Sequence, residues 1–358
     1  MKICFIGPAN SAHIIKWCNW FNKRGHEIHV ISFTPGEIKD TFVHVINLGV
    51  NVDGSDFGKI KYIFSGKKIK RIIKSINPDI INVHYATSYG AAVAFGNIHD
   101  YVLSVWGTDI YDFPNKSFLH KALLKYSLKK ADYLFSTSRA MAKEAEKYTG
   151  KSFVITPFGV DLQLFNPKLK DRNEDGEFIV GTVKGLADTY GIKDILKAVA
   201  ELKGKVPIRL RIAGKGPKEQ EYRQLAVELG IDDITNWLGF ISQEDAAKEW
   251  ANMDVAVIPS IQESFGVSAI EAQASGIPVI ISNIPGLMET TLPNVSSLTV
   301  ERNDYLAIAD WINELYENPA KREQMGLSAR AFVKENYELN KCFEIIENEY
   351  MRIINNKC

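Results

Sequence analysis

Read for hydrophobic and polar positions, the chain alternates short, nearly continuous apolar runs with longer stretches whose apolar residues recur every three or four positions. The first series of runs is KICFIG, EIHVISF, HVINL, DIINVH, YVLSVWG, YLFSTS and SFVITPF. Runs this short, rich in Val and Ile, predict strands of a parallel sheet covered by helices on both faces. Between them the helical period predicts helices over roughly 12–24, 67–75, 117–130 and 139–148. The pattern then restarts with EFIVGTV, IRLRIAG, ITNWLGF, VAVIPS and PVIISN, and three helices finish the chain after about residue 304. The segment FGVDLQLFNPKLKDRNEDGE between the two series is polar and punctuated by Gly and Pro, as a linker is.

A chain of 358 residues exceeds the size at which a single core stops growing. The expected architecture is therefore α/β: two doubly wound, Rossmann-like parallel-sheet domains over 1–165 and 166–335, and a last helix over 336–358 packing back on the first. Sheets of this kind bind ligands beyond the carboxyl ends of their strands. A cleft between two such halves is expected, with function in the loops that follow strands.

Composition narrows the class. With 46% hydrophobic and 24% charged residues, the chain is an ordinary globular protein rather than a disordered or collagen-like one. No run approaches the roughly 18 apolar residues that would span a bilayer. The opening MKICFIGPAN reads as a first strand rather than a signal peptide, so a cytoplasmic location is expected. Cys4, Cys18, Cys342 and Cys358 show no CxxC spacing, which favours reduced thiols over a metal site. Net charge is zero, yet residues 1–165 hold 21 basic against 13 acidic side chains, and 166–358 hold 22 against 30. A basic half facing an acidic one points to an anionic partner. Nucleic acid is disfavoured by the neutral total and by the lack of a recognised binding motif.

The stretch PSIQESFGVSAIEAQASGIPV, residues 259–279, carries the most chemistry. A strand would end near Ser260, a loop would turn at Gly266, and a helix would run to Gly276. The amides of Phe265, Gly266 and Val267 would then lie at a helix N-terminus, where unpaired N–H groups favour an anion such as phosphate. Glu271, one turn into the helix, suits a ribose diol, and Glu263, on the loop before it, suits a hexose hydroxyl. Both also read as solvated acids, with Glu263 complementing the helix dipole.

Other loops offer further candidates. In GPANSAHIIKW, Asn10, Ser11 and His13 could bond phosphate or acceptor, or Ser11 could simply cap the helix; a lone Gly7 is no dinucleotide fingerprint. His84, in INVHYATSYG, would project from a strand end into the cleft or serve the core. Asp109, in SVWGTDIYDF, is too far from Asp112 for an Asp-x-Asp metal motif, and no His or carboxylate cluster has metal spacing. Lys67, Lys68, Lys70, Arg71 and Lys74 crowd one helix and Lys121, Lys125 and Lys129 line another, as a solvated face or as a membrane-surface patch.

The segment PSIQESFGVSAIEAQASGIPVIISNIPGLME resembles the donor-binding signature of retaining GT-B glycosyltransferases, the sucrose-synthase and mannosyltransferase-like family 4 type, whose E-x7-E core falls on Glu263 and Glu271. TPFGVDLQLFNP is similar to that family's interdomain segment, GTVKGLADTYGIKDILKA to its first C-terminal βα unit, and RIAGKGP to its Gly-x-Gly loop. The likeness takes in most of the chain. It implies the GT-B fold and transfer of a hexosyl or N-acetylhexosaminyl group from a UDP- or GDP-type sugar to a glycan or lipid-linked acceptor. It further implies retention at the anomeric carbon, no essential metal, no cofactor, and a role in surface polysaccharide, lipopolysaccharide or glycolipid assembly, in places at the inner membrane face. On this likeness Glu271 holds the ribose, Glu263 the donor sugar, and the amides of Phe265, Gly266 and Val267 the diphosphate. Lys184 is the clamp cation, and Ser260, Gly214, Lys215 and Phe240 surround the donor.

The chain departs from the family pattern in three places. Lys184 stands where an Arg is usual, Tyr190-Gly191 where Lys-Gly is usual, and Trp106 where many relatives carry a His. One ammonium grips a diphosphate less well than a planar guanidinium, so the clamp is expected to be weaker or to be completed from elsewhere, with Lys193 and Lys215 as candidates. With no His at 106, Asp109 becomes the candidate for sugar or acceptor hydroxyls. A nucleotide-sugar epimerase, a phosphorylase and a non-catalytic sugar-nucleotide binding subunit are the rival readings.

Overall fold

The computed structural model describes residues 1–48, 61–171 and 176–356. The chain forms two compact units, Met1–Phe158 with Phe343–Cys358, and Gly159–Cys342.

The first unit is built on a seven-stranded sheet of β1 (Lys2–Ile6), β2 (Glu27–Ser32), β3 (Phe42–Val45), β4 (Ile80–His84), β5 (Tyr101–Val105), β6 (Tyr133–Ser136) and β7 (Val154–Ile155). The order is β3-β2-β1-β4-β5-β6-β7, and every pair is parallel. Strands β4 and β5 are buried along their whole length, as continuous apolar runs require. The third strand starts two residues earlier than the HVINL run, at Phe42. Its register places Phe42 beside His29, whose ring stacks on it at 4.9 Å, so an aromatic contact rather than the apolar run sets the boundary. The helix Tyr89–Phe95 carries no sequence signal of its own. It is buried over nearly all its length, and a helix apolar all round shows no amphipathic period.

The C-terminal helix Leu339–Asn355 closes this unit. Phe343 stacks on Trp20 at 5.4 Å and meets Trp17 edge-on, while Tyr350 stacks on Phe21 and its hydroxyl donates to Asn82. Glu347 pairs with both Arg24 and His26.

The second unit repeats the plan with β8 (Phe178–Val183), β9 (Ile208–Ala213), β10 (Thr235–Gly239), β11 (Val255–Ile258), β12 (Val279–Ser282) and β13 (Ser297–Val300), ordered β10-β9-β8-β11-β12-β13 and parallel throughout. Strand β13 escapes the apolar-run reading because it is a four-residue edge strand begun by Ser297, with only Leu298 and Val300 as its buried apolar residues. The helix Ile192–Leu202 buries Ile195, Leu196 and Val199 in the same core cluster as Leu210 and Ile212 of β9.

Strand order reverses between β1 and β4 in the first unit and between β8 and β11 in the second. These are the switch points at which doubly wound sheets bind ligands. Among the described residues no helix is long and apolar enough to cross a membrane, and no His, Cys, Asp or Glu group could hold a metal ion.

Candidate functional site

At the switch point of the second unit the loops after β8 and β11 meet. Lys184 follows β8, and its ammonium donates to Glu263 Oε2 at 2.5 Å. Both side chains are nearly enclosed, at 11% and 12% exposed. Ser260, at the end of the β11 run, donates to the same carboxylate oxygen at 3.4 Å. The Lys184 ammonium also lies over the ring of Tyr190, 4.7 Å from its centre. Enclosure makes this ion pair dependent on its partners, because an ion that loses its counter-charge out of water is strongly destabilised.

Glycine lets these loops close on one another. Gly214, at φ +141°, lies against the Lys184 carbonyl, and a Cβ there would come within 1.8 Å of that oxygen. At Gly286 a Cβ would come within 2.1 Å of the Glu263 carbonyl. A larger residue at either position would force the main chain of Lys184 or Glu263 to move.

The helix Val267–Ala274 starts from Gly266 in the left-handed region. Ser268 Oγ donates to the Val183 carbonyl at 2.9 Å, which moors the first turn of the helix to the end of β8. Phe265 turns its ring inward against Tyr337, so only its main chain can meet a ligand. Glu271 is half-buried one turn along the same helix. Lys215 is exposed after β9, and Phe240, 78% exposed, follows β10. Lys193 is engaged elsewhere: Glu221 holds its ammonium at 2.6 Å, with Asp188 at 3.6 Å.

The first unit rearranges the expected roles. Asn10 accepts from Thr34 Oγ1 at 3.1 Å, and Ser11 sits at the N-cap position of the helix Ala12–Lys23 without a side-chain cap bond. His13 stacks on Phe158, with ring centres 4.0 Å apart, and meets Trp106 edge-on. His84 does not project into open space. It is sealed among Phe5, Trp17 and Trp106, and both of its ring nitrogens lack a partner. Burial, then the neighbouring His13, pushes its pKa down to about 3, and burial, then Lys16, pushes that of His13 down to about 4. The indole of Trp106 packs against His84, with ring centres 4.9 Å apart.

Asp109 is likewise engaged within the protein. Its buried carboxylate accepts from the main-chain N–H groups of Ala86 at 2.9 Å, Trp106 at 3.1 Å and Gly107 at 2.8 Å. Burial raises its pKa, and those bonds oppose the rise. It braces the loops after β4 and β5. Between those loops Tyr85 holds φ +67°, a strained conformation for a bulky residue at a switch point and one with no sequence signal.

The structure thus brings Lys184, Ser260 and Glu263 into contact, seats Gly214 against them, and starts the helix of Gly266, Val267 and Glu271 beside β8. It leaves Asp109 and His84 in structural work. Sequence reasoning missed Tyr190 as a partner of Lys184, because a contact between a ring and an ammonium six positions away has no linear signature.

Two family models match this chain: "Glycosyl transferase 4-like" over residues 2–138 and "Glycosyl transferases group 1" over 166–332. The chain belongs to the glycosyltransferases of this type and has the GT-B fold, and it is a glycosyltransferase enzyme. Among curated relatives, the N-acetyl-alpha-D-glucosaminyl L-malate synthase of Bacillus anthracis is 24% identical over 93% of this chain and 91% of its own length. Among solved structures, sucrose-phosphate synthase from Thermosynechococcus elongatus superposes with a TM-score of 0.84 at 18% identity, covering 99% of this chain and 100% of its own. Anabaena HepE in complex with UDP gives 0.80 at 18% identity over 98% and 100%.

Proposed function

We propose that this glycosyltransferase moves a hexosyl or N-acetylhexosaminyl group from a UDP- or GDP-sugar to a glycan or lipid-linked acceptor, with retention at the anomeric carbon and without a metal. The observation that carries this is the Lys184–Glu263 pair at the second unit's switch point, beside the start of the helix Val267–Ala274. Cleaving the anomeric bond leaves negative charge on the diphosphate. An ammonium and helix-start amides aimed at that charge lower the barrier, because the low-polarity site leaves water little room to screen them. In this reading the incoming donor separates the pair: Lys184 turns to phosphate, Glu263 accepts a hydroxyl of the sugar, and Glu271 accepts from the ribose diol. Attack comes from the face the diphosphate leaves, without a dedicated protein nucleophile, as the resemblance to retaining GT-B enzymes implies. The UDP complex of HepE supports a uridine donor, and the glucosaminyl relative supports an amino-sugar one.

Peripheral membrane attachment belongs to the same proposal. Phe118 and Leu119, 82% and 75% exposed, open the helix that carries exposed Lys121, Lys125 and Lys129. Phe64, also exposed, precedes the helix Gly66–Ile76 with its exposed Lys67, Lys68, Lys70, Arg71 and Lys74. Both helices flank the buried helix Tyr89–Phe95, so aromatic side chains and cations share one layer of the first unit. Apolar rings among cations suit an anionic lipid surface.

A thermal-shift screen against UDP-, GDP-, ADP-, CMP- and dTDP-sugars identifies the donor, since a ligand that binds only the folded state raises its stability. With that donor, Glu271→Ala is expected to weaken nucleotide binding at least tenfold, the loss of about 1.4 kcal/mol. Glu263→Ala is expected to lower turnover far more than binding. Negligible effects of both substitutions would reject the assignment. Conversion of the donor alone to an isomeric sugar nucleotide would favour an epimerase instead.

A further inference from the structure

Tyr190 has no role in the mechanism above, yet its ring is held firmly in place. It ends a turn over Asp188–Tyr190 whose Thr189 carbonyl accepts from Ile261 N at 2.8 Å, which ties the turn to the loop after β11. Gly185 leaves room for the ring: a Cβ there would stand 3.0 Å from Tyr190 Cε2. The Lys184 ammonium rests on this ring, 4.7 Å from its centre, while Glu263 holds it from another side. The two partners act differently. A carboxylate holds an ammonium by cancelling its charge, whereas an aromatic face attracts the cation through its quadrupole and leaves the net charge intact.

We propose that Tyr190 is the positioning residue for Lys184: its ring face keeps the ammonium in place, still fully charged, when the donor takes Glu263 away. The inference rests on the donor-site reading given above. A lysine stem is flexible, and an unsupported ammonium would lose rotamer freedom on each binding event. With the ring beneath it, that ordering is already done when the diphosphate arrives. The ring replaces a second cation without adding a like charge beside Lys184.

The test uses binding of UDP and GDP to the full chain by titration calorimetry, with uridine and guanosine as controls. Tyr190→Phe, which keeps the ring, is expected to bind the preferred diphosphate within about 2-fold of wild type. Tyr190→Leu, of similar bulk and without a ring, is expected to bind it about 3- to 30-fold more weakly while the matching nucleoside is unaffected. Replacement of Tyr190 by phenylalanines with one to three ring fluorines, which drain the ring face stepwise, is expected to weaken diphosphate binding stepwise. In the ligand-free protein the Lys184 ε-methylene resonance is expected upfield in wild type and Tyr190→Phe, and unshifted in Tyr190→Leu. Equal binding by the Leu and Phe variants with a flat fluorine series, or equal weakening of diphosphate and nucleoside, would overturn the positioning role while leaving the donor site intact. Failure of the wild type to bind either diphosphate would sink the donor-site reading and this inference with it.

Discussion

Asp109 and His84 are of the side-chain types most used in acid–base chemistry, and burial withdraws both from it. Three main-chain N–H groups occupy the Asp109 carboxylate, and aromatic rings enclose His84. The enclosed histidines leave a measurable trace. The unfolded chain binds protons on them below about pH 6.5, whereas the folded chain resists protonation until about pH 4 at His13 and about pH 3 at His84. Folded pKa values below the unfolded ones mean that stability falls as pH falls through this window, by up to about 1.4 kcal/mol per pH unit for each histidine. Urea midpoints between pH 7 and 4.5 are expected to show this slope, and His84→Phe, which leaves only the His13 contribution, is expected to reduce it by about half. An unchanged slope in that variant would show that the loss arises elsewhere.

At the scale of elements, the donor-loop helix Val267–Ala274 is fastened at both ends. Ser268 ties its first turn to β8, and the Arg330 guanidinium reaches the Ala274 carbonyl at its last turn. The same guanidinium donates to the carbonyls of Phe165 at 3.0 Å and Leu162 at 3.3 Å. A cation at a helix C-terminus also complements the dipole. Arg330→Met leaves these half-buried carbonyls without that partner and is expected to lower stability by about 1–3 kcal/mol, read from denaturant unfolding. Wild-type stability in the variant would show that the carbonyls find other donors. Much of this element was legible beforehand. The Gly266 turn, the apolar helix and the end at Gly276 follow from local rules, and the helix begins at Val267 as that spacing implies. The surroundings of Lys184 were not legible: Lys193 is held by Glu221 and Asp188, and the Lys184 ammonium lies over the Tyr190 ring.

Across the whole molecule, the periodicity of apolar runs foretold two parallel sheets, while among the described residues the short edge strand β13 and the buried helix Tyr89–Phe95 escaped it. Charge adds a prediction at this scale. The first 165 residues carry an excess of basic side chains, and the exposed Phe118 and Leu119 stand among them. The full chain is expected to co-sediment with vesicles of phosphatidylglycerol and phosphatidylcholine at low salt. Paired Phe118→Ser and Leu119→Ser substitutions are expected to weaken that binding about tenfold or more, given about 1.5–3 kcal/mol for each buried large apolar side chain. Equal binding by the variant would remove these rings from any lipid contact.

The sequence by itself determined the alternation of strands and helices, the two-unit plan and the loop in which a helix start lies between two acids, because these follow from contacts and periods local in the chain. Only the tertiary structure decided which polar groups remain available for chemistry. Lys184 and Glu263 are 79 positions apart, and Asp109 is satisfied partly by Ala86, 23 positions before it. Burial and hydrogen-bond satisfaction are set by residues that meet only when the sheets have formed.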